Sequence, residues 1–102
     1  MKNISVSQSH EIIKENSSVV LVDVRTPAEY GSVHAERALN HPMESLDVER
    51  LPFGKQDEIH IICQTGGRSL KVSQKLEAAG FCNIANVEGG TSAWHGTGLP
   101  VV

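Results

Sequence analysis

Two spacings of apolar residues alternate along the chain. Val19-Val20-Leu21-Val22-Asp23-Val24 is a β-branched run of strand length. Its continuous apolar character predicts a strand covered on both faces, as in a parallel sheet. Glu58-Ile59-His60-Ile61-Ile62 predicts a second strand and Ile84-Ala85-Asn86-Val87 a third. Ile4 is expected to begin a short first strand, and Ala38-Leu39-Asn40 to form another that Pro42 stops. Helical spacing fills the gaps. Ser7 is placed as the N-cap of a helix running to about Asn16, with Ile12 and Ile13 facing inward. Thr26-Pro27-Ala28-Glu29 reads as a helix start, with Thr26 as cap, Pro27 first and Glu29 third. Met43 to Arg50 is expected to be helical, with Leu46 inward. Arg68 to Ala79 is the best helical pattern, with a stripe of Val72, Leu76 and Ala79 and with Gly80 suited to a left-handed ending. Gly89-Gly90 leads into a short helix carrying Ala93 and Trp94. This alternation predicts an α/β fold, a central, mainly parallel sheet with helices on both faces. In such sheets sites form beyond the carboxyl ends of strands, and Cys63 lies at one.

Length and charge narrow the classes. The 102 residues suit one domain, residues 1–102, and about two-thirds of the unfolded surface can be buried at this size. A net charge of −3 argues against nucleic acid as a partner, because phosphate binding needs a basic surface. The longest apolar run is four residues, Val19 to Val22, and the first residues show no signal-peptide core. No membrane partner is expected, and the expected location is the cytoplasm. Two cysteines in no CxxC or Cys/His array argue against a disulfide scaffold or a zinc site. The five histidines show no ligand spacing, so no metal site is expected. Nothing demands more than a monomer.

Chemistry concentrates after the second clear strand. Cys63-Gln64-Thr65-Gly66-Gly67 is a loop that opens the best helix, followed at once by Arg68 and Ser69. Backbone N–H groups curled into a nest, together with a helix N-terminus, favour an anion and would lower the Cys63 pKa. Gly66 and Gly67 permit positive φ and keep side chains out of the cavity. Arg68 adds a planar donor fork suited to sulfonate or phosphate, and Ser69 a hydroxyl. The plainer reading makes Cys63 a buried strand end and the glycines a turn. The conjunction of strand, Gly-Gly pair, arginine and helix within a few residues favours the chemical one. Asp23 and Arg25, ending the first long strand, fit a local ion pair, a cap for the helix at Pro27, or a brace for the Cys63 loop. Cys82 is expected to be a bystander. His60 is expected to face a polar crevice, and Trp94 to pack with Phe81 and Leu99. Arg68, Lys71 and Lys75 fall on one helix face, which reads as a solvated face or as a docking strip for an acidic partner.

Cys63-Gln64-Thr65-Gly66-Gly67-Arg68-Ser69 resembles the active-site loop of rhodanese-type sulfurtransferases. Val22-Asp23-Val24-Arg25-Thr26-Pro27-Ala28-Glu29-Tyr30 is similar to the family's first signature, and His34, Ala38, Asn40 and Pro42 to the segment after it. Gly80-Phe81, Asn83, Gly89-Gly90, Ala93-Trp94 and Gly98-Leu99-Pro100 are similar to its later part. The chain departs from the pattern at Val33-His34-Ala35 and Arg37, where the family has Gly-His-Ile and a later glycine. That departure bears on one surface loop and not on the Cys63 loop.

The resemblance implies a sulfurtransferase in which Cys63 is nucleophile and sulfur carrier. Gln64, Thr65, Gly66, Gly67, Arg68 and Ser69 would form the anion cradle, Arg68 orienting the donor's sulfonate, with Asp23 and Arg25 in support. It implies no cofactor. The implied partners are a small anionic sulfur donor such as thiosulfate and a thiol or cyanide acceptor, or a protein in either role. Related phosphatases and arsenate reductases carry five residues between cysteine and arginine, whereas Gln64 to Gly67 are four, which favours sulfur. A non-enzymatic persulfide carrier or redox-sensing module retains the same nucleophile and stays open.

Overall fold

The computed structural model describes residues 1–102. Five strands, β1 (Lys2–Ile4), β2 (Val20–Asp23), β3 (Ala38–Asn40), β4 (Ile59–Ile62) and β5 (Ile84–Val87), form one sheet in the order β1-β5-β4-β2-β3. Every pairing is parallel. Four α-helices cover it: α1 (Val6–Glu15), α2 (Pro27–Ser32), α3 (Gly67–Ala78) and α4 (Gly90–Gly96). The α/β expectation therefore holds.

The continuous apolar runs are explained by burial on both sides. Along β4, Ile59, Ile61 and the following Cys63 pack with Val72 and Leu76 of α3 and with Phe81. Ile62 faces the other way, into a cluster with Val6 and Ile13 of α1 and Trp94 of α4. Trp94 and Phe81 are thus both core, but on opposite faces of the sheet, and only Leu99 joins the tryptophan.

Several boundaries differ from expectation. Ile4 ends β1 rather than beginning a strand. The N-cap of α1 is Ser5, not Ser7, because Gln8 stands three residues after Ser5 and the two exchange side-chain bonds to each other's backbone N–H. Thr26 and Glu29 build the corresponding box on α2, with Pro27 in its first turn, as the sequence indicates. The segment Met43 to Arg50 is not a helix. Only Met43–Ser45 makes a single 3-10 turn, and Leu46 is extended. Asp47 Oδ1 accepts the Glu49 N–H at 3.0 Å, a local turn that competes with the helical ladder.

Cys82 is exposed, at the amino end of β5, whereas Cys63 lies past the carboxyl end of β4. Ile59 registers with Ile84, so a full strand, about 13 Å at ~3.3 Å per residue, separates the two cysteines. A disulfide needs Cα atoms within about 7 Å and cannot form between them.

Candidate active site

Cys63 is the first residue after β4, 1% exposed and held between sheet and α3. The chain must turn sharply to enter α3, and it does so through Gly66 at φ 111°. The orientation of the turn is set from α4. Thr91 donates its N–H at 2.8 Å and its hydroxyl at 3.0 Å to the Cys63 carbonyl, and the Ser92 N–H reaches the Gln64 carbonyl at 3.0 Å. With these carbonyls drawn toward α4, the N–H side of the loop is left toward the sulfur, and the Gly66 N–H lies 3.1 Å from Cys63 Sγ. Gly90 makes the approach possible. A Cβ there would stand 2.5 Å from the Cys63 carbonyl oxygen and from the Gln64 carbonyl carbon and oxygen.

Burial pushes the Cys63 thiol up, but the Ser69 hydroxyl and the backbone N–H groups of Ser69, Gly66 and Thr65 outweigh it. The result is a pKa below the ordinary thiol value. Ser69 is fully buried with its Oγ 3.4 Å from the sulfur, whereas Thr65 and Gly67 are exposed on the loop's outer side.

Arg68 places its fork on Glu29 of α2, Nη1 to Oε1 at 2.8 Å and Nη2 to Oε2 at 2.9 Å. This bidentate bond holds the Glu29 carboxyl down at about 2, against a smaller cost of burial. Lys71 and Lys75 are exposed farther along α3.

Asp23 and Arg25 form a buried pair at 2.9 Å, and Arg25 extends to the Val33 carbonyl at 2.6 Å and the Gln64 side chain at 3.0 Å. The pair therefore both closes on itself and braces the Cys63 loop through Gln64. It does not cap α2, since Thr26 does. His60 lies in no polar crevice. It is wholly buried, with Ser9 Oγ at 2.7 Å from Nδ1 and Glu58 at 2.9 Å from Nε2. Burial, partly opposed by Glu58, lowers its pKa.

Sequence reasoning passes over Thr91, Ser92 and Asn86, whose parts depend on contacts 17 to 28 residues distant. A threonine directly after a Gly-Gly pair that opens a helix is the one local signal for the first of them.

The rhodanese-like domain model matches residues 5–97. This chain belongs to the rhodanese-like domain family. It is 34% identical over 110 residues to thiosulfate sulfurtransferase 16, chloroplastic, of Arabidopsis thaliana, covering 96% of this chain and 90% of that one. With a sulfurtransferase of Allochromatium vinosum it shares 33% identity over 90 residues, 88% of this chain and 84% of that one. The crystal structure of a rhodanese-like domain protein from Staphylococcus aureus superposes with a TM-score of 0.82 at 35% identity, covering 92% of this chain and 91% of that one.

The two departures from the rhodanese pattern now have different explanations. Val33 is extended at φ −161°, a conformation any residue adopts, so no glycine is needed there. Arg37 takes φ 75°, the left-handed conformation that a glycine supplies without strain. Its guanidinium donates to the Ile13 carbonyl at 2.9 Å and the Ser17 carbonyl at 3.3 Å, satisfying acceptors at the end of α1.

Proposed function

We propose that this protein is a sulfurtransferase that carries sulfane sulfur as a persulfide on Cys63. The observation that supports it most is the set of polar groups around one buried sulfur: the Gly66 N–H donating at 3.1 Å, the Ser69 hydroxyl, which receives the S–H at 3.4 Å and can turn to donate to a thiolate, and the entry of α3. Such a set stabilises an anion at the sulfur before any substrate arrives. Relatives named as sulfurtransferases, matched over most of both chains, support the same reading.

In the first half-reaction the Cys63 thiolate attacks the outer sulfur of a donor such as thiosulfate. The sulfur–sulfur bond of the donor breaks, sulfite leaves with the bonding pair, and Cys63 holds a persulfide anion. In the second, a nucleophile such as cyanide or a thiolate attacks the terminal sulfur, and the Cys63 thiolate returns. Neither half needs a general base once the thiol is ionised, and no electron leaves the pair of substrates. The loop N–H groups would serve the thiolate and the persulfide in turn.

Steady-state release of thiocyanate from thiosulfate and cyanide tests the proposal. Turnover should persist in Cys82→Ser and fall to background in Cys63→Ser. Single-turnover sulfur uptake without multiple turnover on any small acceptor would instead place the protein as a carrier that hands sulfur to a protein partner.

A further inference from the structure

Behind Cys63 runs a line of polar side chains that sulfur transfer does not by itself require. The single hydroxyl proton of Ser69 faces three acceptors: Asn86 Oδ1 at 2.5 Å, the Gly66 carbonyl at 3.1 Å and Cys63 Sγ at 3.4 Å. The Gly66 carbonyl keeps the Leu70 N–H at 3.1 Å whichever way the hydroxyl turns, so the choice that decides whether a group is left unpaired is between Asn86 and the sulfur. Asn86 is 4% exposed and stands opposite Asn3 in the β1–β5 register, its Nδ2 donating to Asn3 Oδ1 at 3.0 Å. Along this line each proton points away from the sulfur: Cys63 S–H to Ser69, Ser69 O–H to Asn86, Asn86 N–H to Asn3. It serves a thiol.

Ionisation reverses the demand. A thiolate or persulfide anion only accepts, so the Ser69 hydroxyl must turn toward it. That turn leaves the buried Asn86 Oδ1 without a donor. An asparagine repairs this by a half-turn of its amide. Nδ2 then donates to Ser69 Oγ, and Oδ1 accepts from the exposed Asn3 amide, which turns in the same way. No proton travels along the line. The Cys63 proton leaves to solvent, and three hydrogen bonds reverse their polarity. Neither an aspartate nor a leucine at this position can serve both states.

We propose that Asn86, with Asn3 at its outer end, is a positioning residue that lets Ser69 accept from the Cys63 thiol and donate to its thiolate and persulfide. The proposal rests on the Cys63 reading above and deepens it. Of the charged groups around the loop, the two arginines are engaged elsewhere, and Glu88, which follows β5 with its backbone beside Gly66, is exposed. Arg68 at the start of α3 is paired with Glu29 of α2 and lies within the field of Glu44, and Arg25 after β2 is locked to Asp23 and touches the loop through Gln64. From α4, Thr91 and Ser92 bond to loop carbonyls rather than to the sulfur.

The test is the pH dependence of Cys63 alkylation by iodoacetamide, in a Cys82→Ser parent and at high salt to screen distant charge. Asn86→Asp and Asn3→Asp each leave an acceptor only, and each fixes the line in its thiol polarity. Each should raise the alkylation midpoint by about one to two units, the worth of one hydrogen bond to an anion. In a Ser69→Ala parent the same substitutions should move it much less. Equal shifts with and without Ser69 would reduce the effect to charge and overturn the proposal. So would a loss of thermal stability with no movement of the midpoint, the signature of a purely structural amide. Asn3 is exposed, so its variant keeps the test alive if Asn86→Asp fails to fold. Sulfur uptake from thiosulfate by the parent is measured separately. Its failure would sink the transfer reading while leaving the midpoints readable.

Discussion

Arg68 shows how a residue's partner changes its meaning. As a free guanidinium beside the loop it would draw a dianionic donor toward Cys63. Its fork is instead closed on Glu29, a carboxyl held ionised down to about 2, so the pair presents little net charge to an approaching anion. Glu29→Gln keeps a neutral acceptor for Arg68 and removes the opposing charge. The KM for thiosulfate should fall roughly two- to fivefold at low salt, as a partly exposed charge contributes ~0.5–1 kcal/mol. The gain should fade as salt is added. A KM that rises would mean that Arg68 acts on the donor only while Glu29 holds it in place. Kinetics at two ionic strengths decide between them.

At the scale of elements, the Cys63 loop is shaped from α4 as much as from its own sequence. Gly90→Ala would drive a Cβ into loop backbone that has nowhere to yield, and at φ 60° besides. The expected cost is about 2–4 kcal/mol of stability, with at least tenfold lower turnover in the protein that remains folded. An unchanged melting temperature and rate would remove α4 from the account. Arg37 offers a cleaner comparison. Alanine loses the bonds to Ile13 and Ser17 and keeps the left-handed strain, whereas glycine loses the bonds and relieves the strain. Arg37→Gly should therefore be more stable than Arg37→Ala by about 0.5–1 kcal/mol in urea unfolding. Equality would show that backbone strain at this turn is small. These two cases also mark what the sequence made legible. β2, β4 and β5 could be read because burial on both faces leaves an unbroken apolar run, and α2 because its cap lies within four residues. The Cys63 loop was legible as a local strand, glycine and helix pattern. The Arg68–Glu29 fork joins residues 39 apart, and the Ser69–Asn86 bond joins residues 17 apart, where no local period reports a contact. The segment after Pro42 misled because helical spacing there is outbid by the turn that Asp47 makes with Glu49.

For the whole molecule, three groups tie stability to pH in the same direction, Cys63 among them because its loop holds the thiol below its ordinary value. His60 is held below 6.5 by burial, and Glu29 is held well below 4.5 by Arg68. Each binds its proton more weakly folded than unfolded, so its contribution is complete above the unfolded pKa and is lost as pH falls toward the folded one. In a Cys63→Ser parent, which removes the slope that the lowered thiol adds above pH 7, melting temperature should be flat from pH 8 to 7 and decline as pH falls below about 6.5, the histidine range first. A second decline follows between 4.5 and about 2 as Glu29 takes its proton. His60→Gln should flatten the first decline and leave the second; if the first survives unchanged, it belongs to another group. The central claim concerns Cys63, and intact-protein mass after incubation with thiosulfate and removal of excess donor tests it most directly. Wild type and Cys82→Ser should each gain one sulfur atom and lose it on addition of cyanide or thiol, while Cys63→Ser gains none. A sulfur atom gained by folded Cys63→Ser, or none gained by folded, reduced wild type, would contradict the account of thiosulfate sulfur held on Cys63.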